Sequence, residues 1–410
     1  MKKFLLASAA TALTAGSAFA GSHADEIKIG IILGFTGPIE SLTPAMAAGA
    51  ELAMSEVTDS GLLLGGAKVT PVRGDSTCID AAAATSVAEQ QITGDGVKAI
   101  MGADCSGVTG AILQNVAVAN GIVMISPSAT SPALSTAEDN GLFFRTAPSD
   151  ARQGVVMAEV LLEQDINEVA LTYTNNDYGK GLADSFQAAF EERGGTVTIS
   201  AAHEDGKADY SAEVGALASA GGQRLVVAGY ADQGGAGIIR ASLDSGAFDT
   251  FHLPDGMVSS SIEANFGAEI DGSTGQHPGT DSEGASLFTD LAGDAFDATS
   301  PFSPESYDAA ALIMLAMQAA GSAESADFKD QVMNVANAPG EQIFPGELAK
   351  ALQILADGGE IDYVGATAVE LIGPGESAGN YRQIEIKDGT FSTVQYLSLI
   401  HISEPTRQYC

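Results

Sequence analysis

Few side chains in this chain are spaced for making or breaking bonds. There is no G-x-S-x-G elbow, no H-E-x-x-H pair and no Walker loop. His23, His203, His252 and His277 stand far apart, with none at metal-ligand spacing from another. The glycines at 229, 234, 235 and 237 do not form a dinucleotide fingerprint. These absences argue against hydrolases, zinc enzymes and nucleotide-dependent enzymes. A catalytic site assembled from distant residues stays open as a second class of function.

The residues that are suitably grouped suit capture of an anion. Asp104-Cys105-Ser106-Gly107 and Ser126-Pro127-Ser128-Ala129-Thr130 are loops rich in small hydroxyl residues. Each follows an apolar run that reads as a strand. Serine and threonine hydroxyls beside the free N–H groups of a helix start can hold a carboxylate. The same residues are also ordinary helix caps.

Those loops need a scaffold, and the apolar pattern supplies one. Short apolar runs at 27–33, 69–73, 97–102 and 122–126 alternate with helical stretches at 44–57, 81–92 and 108–120. A second series begins near Asp150. It has strands at 169–174, 196–200, 225–229 and 251–253, between helices at 151–163, 181–193, 210–220 and 234–245. Helices return at 286–296, 307–320 and 326–336, and the stretch 363–391 is strand-rich. Near-continuous apolar strands alternating with helices imply parallel sheets covered on both faces. The fold class is therefore α/β, with two doubly wound lobes and a cleft between them.

Composition bounds the setting. The chain has 410 residues, 53 acidic against 18 basic, and a formal net charge of -35. Such a surface repels nucleic acid and anionic membrane and favours solubility. Lys2 and Lys3, the apolar run 4–15 and Ala18-Phe19-Ala20 read as a signal peptide over residues 1–20, with the mature chain starting near Gly21. The apolar run is too short for a membrane span. In the oxidising compartment this implies, Cys78 and Cys105 are either bridged or a pair of buried thiols. Residues 398–410 resemble translated sequencing-adapter DNA and are read as a non-native tail; Cys410 falls within it.

Taken together, these features resemble the branched-chain amino-acid binding proteins, type I periplasmic binding proteins that feed ABC transporters. The resemblance covers about 25–397. It rests on Ile27-Lys28-Ile29-Gly30 through Thr36-Gly37-Pro38, on both hydroxyl loops, on Asp177-Tyr178-Gly179-Lys180-Gly181 and on Ala228-Gly229-Tyr230. It implies that Cys78 and Cys105 form the first-lobe disulfide. It also implies that Ser106 and Thr130 bind a ligand carboxylate, with Ser128 and Ala129 in the same loop. The Ser128 carbonyl and Thr130 would accept from the ammonium. Tyr178 and Tyr230 would close over the ligand, and Asp255 would pair with its ammonium. The implied lobes are 25–147 plus 279–362 and 148–278 plus 363–397, hinged near Ala147, Pro278 and Tyr363.

The expected protein is a periplasmic monomer without a cofactor, a catalytic residue or a metal. It would bind an amino acid or a related amide and deliver it to an ABC permease. A sensor subunit docking on a receptor is the alternative. One departure bears on specificity. Ile39-Glu40-Ser41-Leu42 stands where the family often has an aromatic, and a carboxylate near the pocket mouth would be odd for an aliphatic ligand.

Overall fold

The computed structural model describes residues 26–398; the expected signal peptide and the tail beyond Ser398 lie outside the described residues. The strands in chain order are β1 Glu26–Leu33, β2 Lys68–Asp75, β3 Ala99–Gly102, β4 Val123–Ser126, β5 Phe143–Arg145, β6 Glu168–Thr174, β7 Thr196–His203 and β8 Arg224–Ala228. They continue with β9 Phe251–Leu253, β10 Thr274–Pro278, β11 Glu341–Ile343, β12 Ile361–Tyr363, β13 Leu371–Ile372, β14 Glu376–Ser377, β15 Asn380–Lys387 and β16 Thr390–Ser398.

Two seven-stranded sheets form. Their orders are β13-β14-β5-β4-β3-β1-β2 and β16-β15-β10-β9-β8-β6-β7. Strands β1 to β5 run parallel, as do β6 to β10, while β15 and β16 pair antiparallel on β10 and on each other. The two lobes thus repeat one topology. Strand β1 is buried along nearly its whole length because β2 and β3 flank it and helices cover both faces. Helix Ser303–Ala320 is buried from Glu305 to Gln318, so it is enclosed on all sides rather than on one stripe.

In each sheet the strand order reverses once, between β1 and β3 and between β6 and β8. Loops leaving the carboxyl ends of strands at such a reversal splay apart and leave a crevice. The loops after β1, β3 and β4 open one crevice; those after β6 and β8 open the other. Gly102 ends β3 at φ 134°, and a Cβ there would stand 2.3 Å from the Ile32 carbonyl oxygen. Only glycine permits this close approach of β3 to β1 at the crevice.

The chain passes between the sheets after β5, after β10 and between β14 and β15. The third passage differs from the sequence expectation of a crossing near Tyr363. The Gly373-Pro374-Gly375 turn folds β13 and β14 into a hairpin that extends the first sheet, and Glu376 pairs with Arg145 of β5. The chain leaves for the second sheet only at Ala378 and Gly379. The expected helix and strand positions otherwise match within a few residues. The helices expected over 81–92 and 108–120 both contain π turns, Gln90–Asp95 and Leu113–Ala117, and strand β10 and helix Leu348–Ala356 are not among the expected elements.

Cys78 and Cys105 are bridged, with Cα atoms 5.2 Å apart. The bridge ties the loop after β2 to the loop after β3. Closing a segment with a sequence separation of 27 restricts the unfolded chain. Replacing both cysteines with serine is expected to lower unfolding free energy by roughly 3–4 kcal/mol. Urea denaturation of the two mature proteins measures this, and thiol titration of the unreduced wild type should find neither residue reactive.

Candidate functional site

The first-lobe rim is built at two loop ends. Cys105 precedes helix Ser106–Ile112 in an extended conformation, so the helix N–H groups open into the crevice. Ser106 is buried, and its Oγ accepts from the Ser131 N–H at 3.0 Å. Asp104 lies beneath, accepting from the N–H groups of Gly34 and Cys105 and from Ser76 Oγ. These bonds join the loops after β1, β2 and β3. Ser128 Oγ donates to the Asp104 carbonyl, and the Ala129 N–H donates to Ser126 Oγ. Thr130 is fully buried, yet its Oγ1 has no hydrogen-bond partner.

Arg145 holds this loop from behind. Its Nη1 donates to the carbonyls of Ala129 and Ser131, both at 2.9 Å. Its Nη2 donates to Ser135 Oγ and to Glu376 Oε2, both at 2.6 Å. The guanidinium is 1% exposed. A planar fork can hold two carbonyls and a carboxylate at once, which an ammonium cannot do in the same geometry.

The second lobe supplies two stacked rings. Tyr178 and Tyr230 lie 5.1 Å apart between centroids with 16° between planes. Asn176 caps the helix that carries Tyr178. Tyr178 Oη donates to Asp255 Oδ1 at 2.6 Å, and the Gly256 N–H donates to both of those oxygens. Asp255 is buried at the start of a short 3-10 turn after β9.

Asp150 is the residue that sequence reasoning missed. It opens helix Asp150–Glu163 behind the Ser149 cap, at the first passage between lobes. Its N–H donates to the Thr130 carbonyl at 2.8 Å. It is fully buried, and neither carboxyl oxygen completes a hydrogen bond. Gln153, one turn on, and the hydroxyl of Tyr381 are also buried without partners. Burial, then the nearby Asp255, pushes the Asp150 carboxyl well above its ordinary range, against the Thr130 hydroxyl and Arg145. Burial likewise raises Asp255, against its bonds from Tyr178 and neighbouring groups. The only sequence signal for Asp150 is an acidic residue after a serine at a helix start, which reads equally as a dipole partner.

The seven expected site residues thus fall on two facing rims: Ser106, Ser128, Ala129 and Thr130 on one, Tyr178, Tyr230 and Asp255 on the other. Between the rims lie orphaned polar atoms and two close carboxylates. The lobes touch elsewhere as well. The Asp232 N–H donates to the Pro38 carbonyl, Ser41 N–H donates to Asp232 Oδ2 at 2.8 Å, and the hydroxyls of Ser41 and Ser259 are 2.7 Å apart. Glu40 is exposed, whereas Ile39 and Leu42 are buried, so Glu40 brings no carboxylate into the cleft.

Residues 26–349 match the family model described as periplasmic binding protein. The chain belongs to the periplasmic binding protein family. A Leu/Ile/Val-binding protein homologue from Brucella melitensis is 36% identical over 232 residues, a stretch covering 56% of this chain and 61% of that relative. Among solved structures, a leucine-binding protein from Thermotoga maritima superposes with a TM-score of 0.77 at 20% identity, over 91% of this chain and 99% of that one. An ABC-transporter solute-binding protein from R. palustris, solved with benzoate, gives 0.73 at 18% identity, over 90% and 96%. The last two show a shared fold. The two-lobed periplasmic binding protein architecture explains why both rims sit at strand-order reversals. No helix among the described residues is long and apolar enough to cross a membrane.

Two outcomes follow for the site. Arg145→Met is expected to destabilise the protein by about 3–5 kcal/mol, because it strands Glu376 and the loop carbonyls; chemical denaturation measures it. Asp150→Asn is expected to do the opposite in the ligand-free protein. A carboxyl whose pKa is raised by folding weakens the folded state once pH exceeds its unfolded value. The variant's gain in melting temperature should therefore grow as pH rises above about 4 and vanish as pH falls below it.

Proposed function

We propose that this protein is an exported solute-binding protein that captures an α-amino acid between its lobes and delivers it to an ABC permease. The observation that carries the reading is the pairing of two rims of opposite preference. Ser106, Thr130 and the helix N–H groups suit a carboxylate, while Asp150 and Asp255 suit a cation. A zwitterion satisfies both at once. A simple aromatic acid would supply the anion but leave two buried carboxylates facing one another, so a benzoate-type ligand fits this cleft less well.

In this reading Ser106 and Thr130 hold the ligand carboxylate, supported by the loop at Ser128 and Ala129. Asp255 and Asp150 take the ammonium, with the Ser128 carbonyl as a further acceptor. Tyr178 and Tyr230 cover the ligand as the second lobe closes. Only the closed form makes both sets of contacts, so the ligand stabilises it. The signal-peptide pattern supports a periplasmic location, and the acidic surface supports a soluble monomer. The buried Ile39 and Leu42 and the exposed Glu40 favour an apolar ligand side chain.

Isothermal titration of the mature protein against a panel of amino acids tests the reading. Asp255→Asn is expected to cost about 2–5 kcal/mol of binding, roughly 30- to 5,000-fold. Thr130→Ala should cost about 1–3 kcal/mol, since backbone groups still support the carboxylate. An Asp255→Asn protein binding within about threefold of wild type would reduce Asp255 to a turn residue. Proton linkage gives an independent readout. Raised carboxyls must ionise to meet an ammonium, so binding should release protons and tighten as pH rises from about 5 to 8. Titrations in buffers of different ionisation enthalpy report that release.

A further inference from the structure

A second cavity lies on the hinge side of the molecule. Its volume is about 260 Å³, space for several waters or one small organic molecule. None of Ser106, Thr130, Asp150, Tyr178, Tyr230 or Asp255 lines it. Both lobes contribute to it. His277 and Arg382 come from the paired strands β10 and β15, and Glu305 comes from the first turn of helix Ser303–Ala320.

Two polar side chains of its lining are buried without partners. Glu305 is 2% exposed and its Oε2 has no partner; His277 is 5% exposed and its Nδ1 has none. Burial and the nearby Asp308 raise the Glu305 carboxyl to about 8, so near neutrality it keeps its proton and can donate. Burial and the Arg382 charge lower His277 to about 3, so it stays neutral. Arg382, half-buried and fixed by an Nε bond to Thr393 Oγ1, supplies the wall's positive charge. The N-terminus of an 18-residue helix adds to the same sign. Asp281 also lines the cavity, but it is exposed and screened by water. Phe288, Phe302 and Tyr396 give the wall an apolar face, beside hydroxyl residues such as Thr289, Ser300 and Thr367.

We propose that this cavity is a second binding site, for a small monocarboxylate with an apolar body. The carboxylate would accept from Glu305 and face Arg382, and the apolar part would lie on the rings of Phe288 and Phe302. Because its walls come from both lobes, an occupant there braces the closed form without touching the cleft between the rims.

Benzoate is the probe. The chain has no tryptophan, so Tyr396→Trp places a single reporter in the cavity wall. Benzoate is expected to shift that fluorescence and to give a saturable isotherm with the mature protein. Arg382→Met and Glu305→Leu should each weaken it at least tenfold. Arg382→Lys, which keeps the charge should the methionine variant not fold, should weaken it less. Ser106→Ala and Asp255→Asn should leave it within about twofold. Three results would overturn the proposal: no benzoate binding up to about 10 mM, binding lost in Ser106→Ala but kept in Arg382→Met, or binding unaltered in every variant. The second result would place benzoate in the cleft between the rims and would leave the amino-acid reading to be judged by its own titrations.

Discussion

The arrangement around the cleft depends on one buried guanidinium. Arg145 ends β5, where the chain is about to leave the first lobe, and it grips the loop that carries Thr130 by two carbonyls. Its counter-ion, Glu376, lies on β14, two residues before the chain returns to the second lobe. One ion pair thus spans two of the three passages and the loop of the first rim. A buried charge is costly unless paired and hydrogen-bonded, and here two of its four bonds also fix backbone carbonyls of the rim loop. The loop's hydroxyl and N–H groups are held in place before any ligand arrives, which reduces the ordering cost of binding.

The second lobe is organised on a different principle. Its rim keeps a carboxyl pair in unfavourable surroundings, with Asp150 buried and its oxygens unpartnered. Folded-state stability is lowered at one place, where two carboxyls lie close together in buried surroundings. The disulfide and the Asp104 hydrogen bonds offset this from the opposite rim by making its loops rigid. Rigid rim and strained rim face each other because both lobes have the same strand order.

Much of this was legible in the sequence because parallel sheets write themselves plainly. Buried strands read as unbroken apolar runs, and the loops at their carboxyl ends carry hydroxyls and tyrosines. Four features were not legible. Asp150 follows a serine at a helix start, where an acidic residue is ordinary. Arg145 ends a strand, where an arginine usually reaches water; that it is buried depends on Glu376, more than 200 residues away. Residues Leu371–Ser377 belong to the first sheet because a Gly-Pro-Gly turn lets them reach β5, and a turn sequence does not say which edge its hairpin will join. The hinge cavity depends on residues from both lobes that no local pattern connects.

The contact at Pro38, Ser41, Asp232 and Ser259 has a consequence for a two-lobed binding protein. These bonds join the lobes directly, from one chain segment to the other. They therefore lower the free energy of the empty closed form as much as that of the filled one. Such a clasp slows ligand escape, but it also raises the fraction of empty molecules that look loaded to whatever reads the closed shape. Tight retention and faithful signalling of occupancy pull on the same few hydrogen bonds in opposite directions. The small number of these bonds, centred on one aspartate, keeps that conflict within a range that a single substitution could retune.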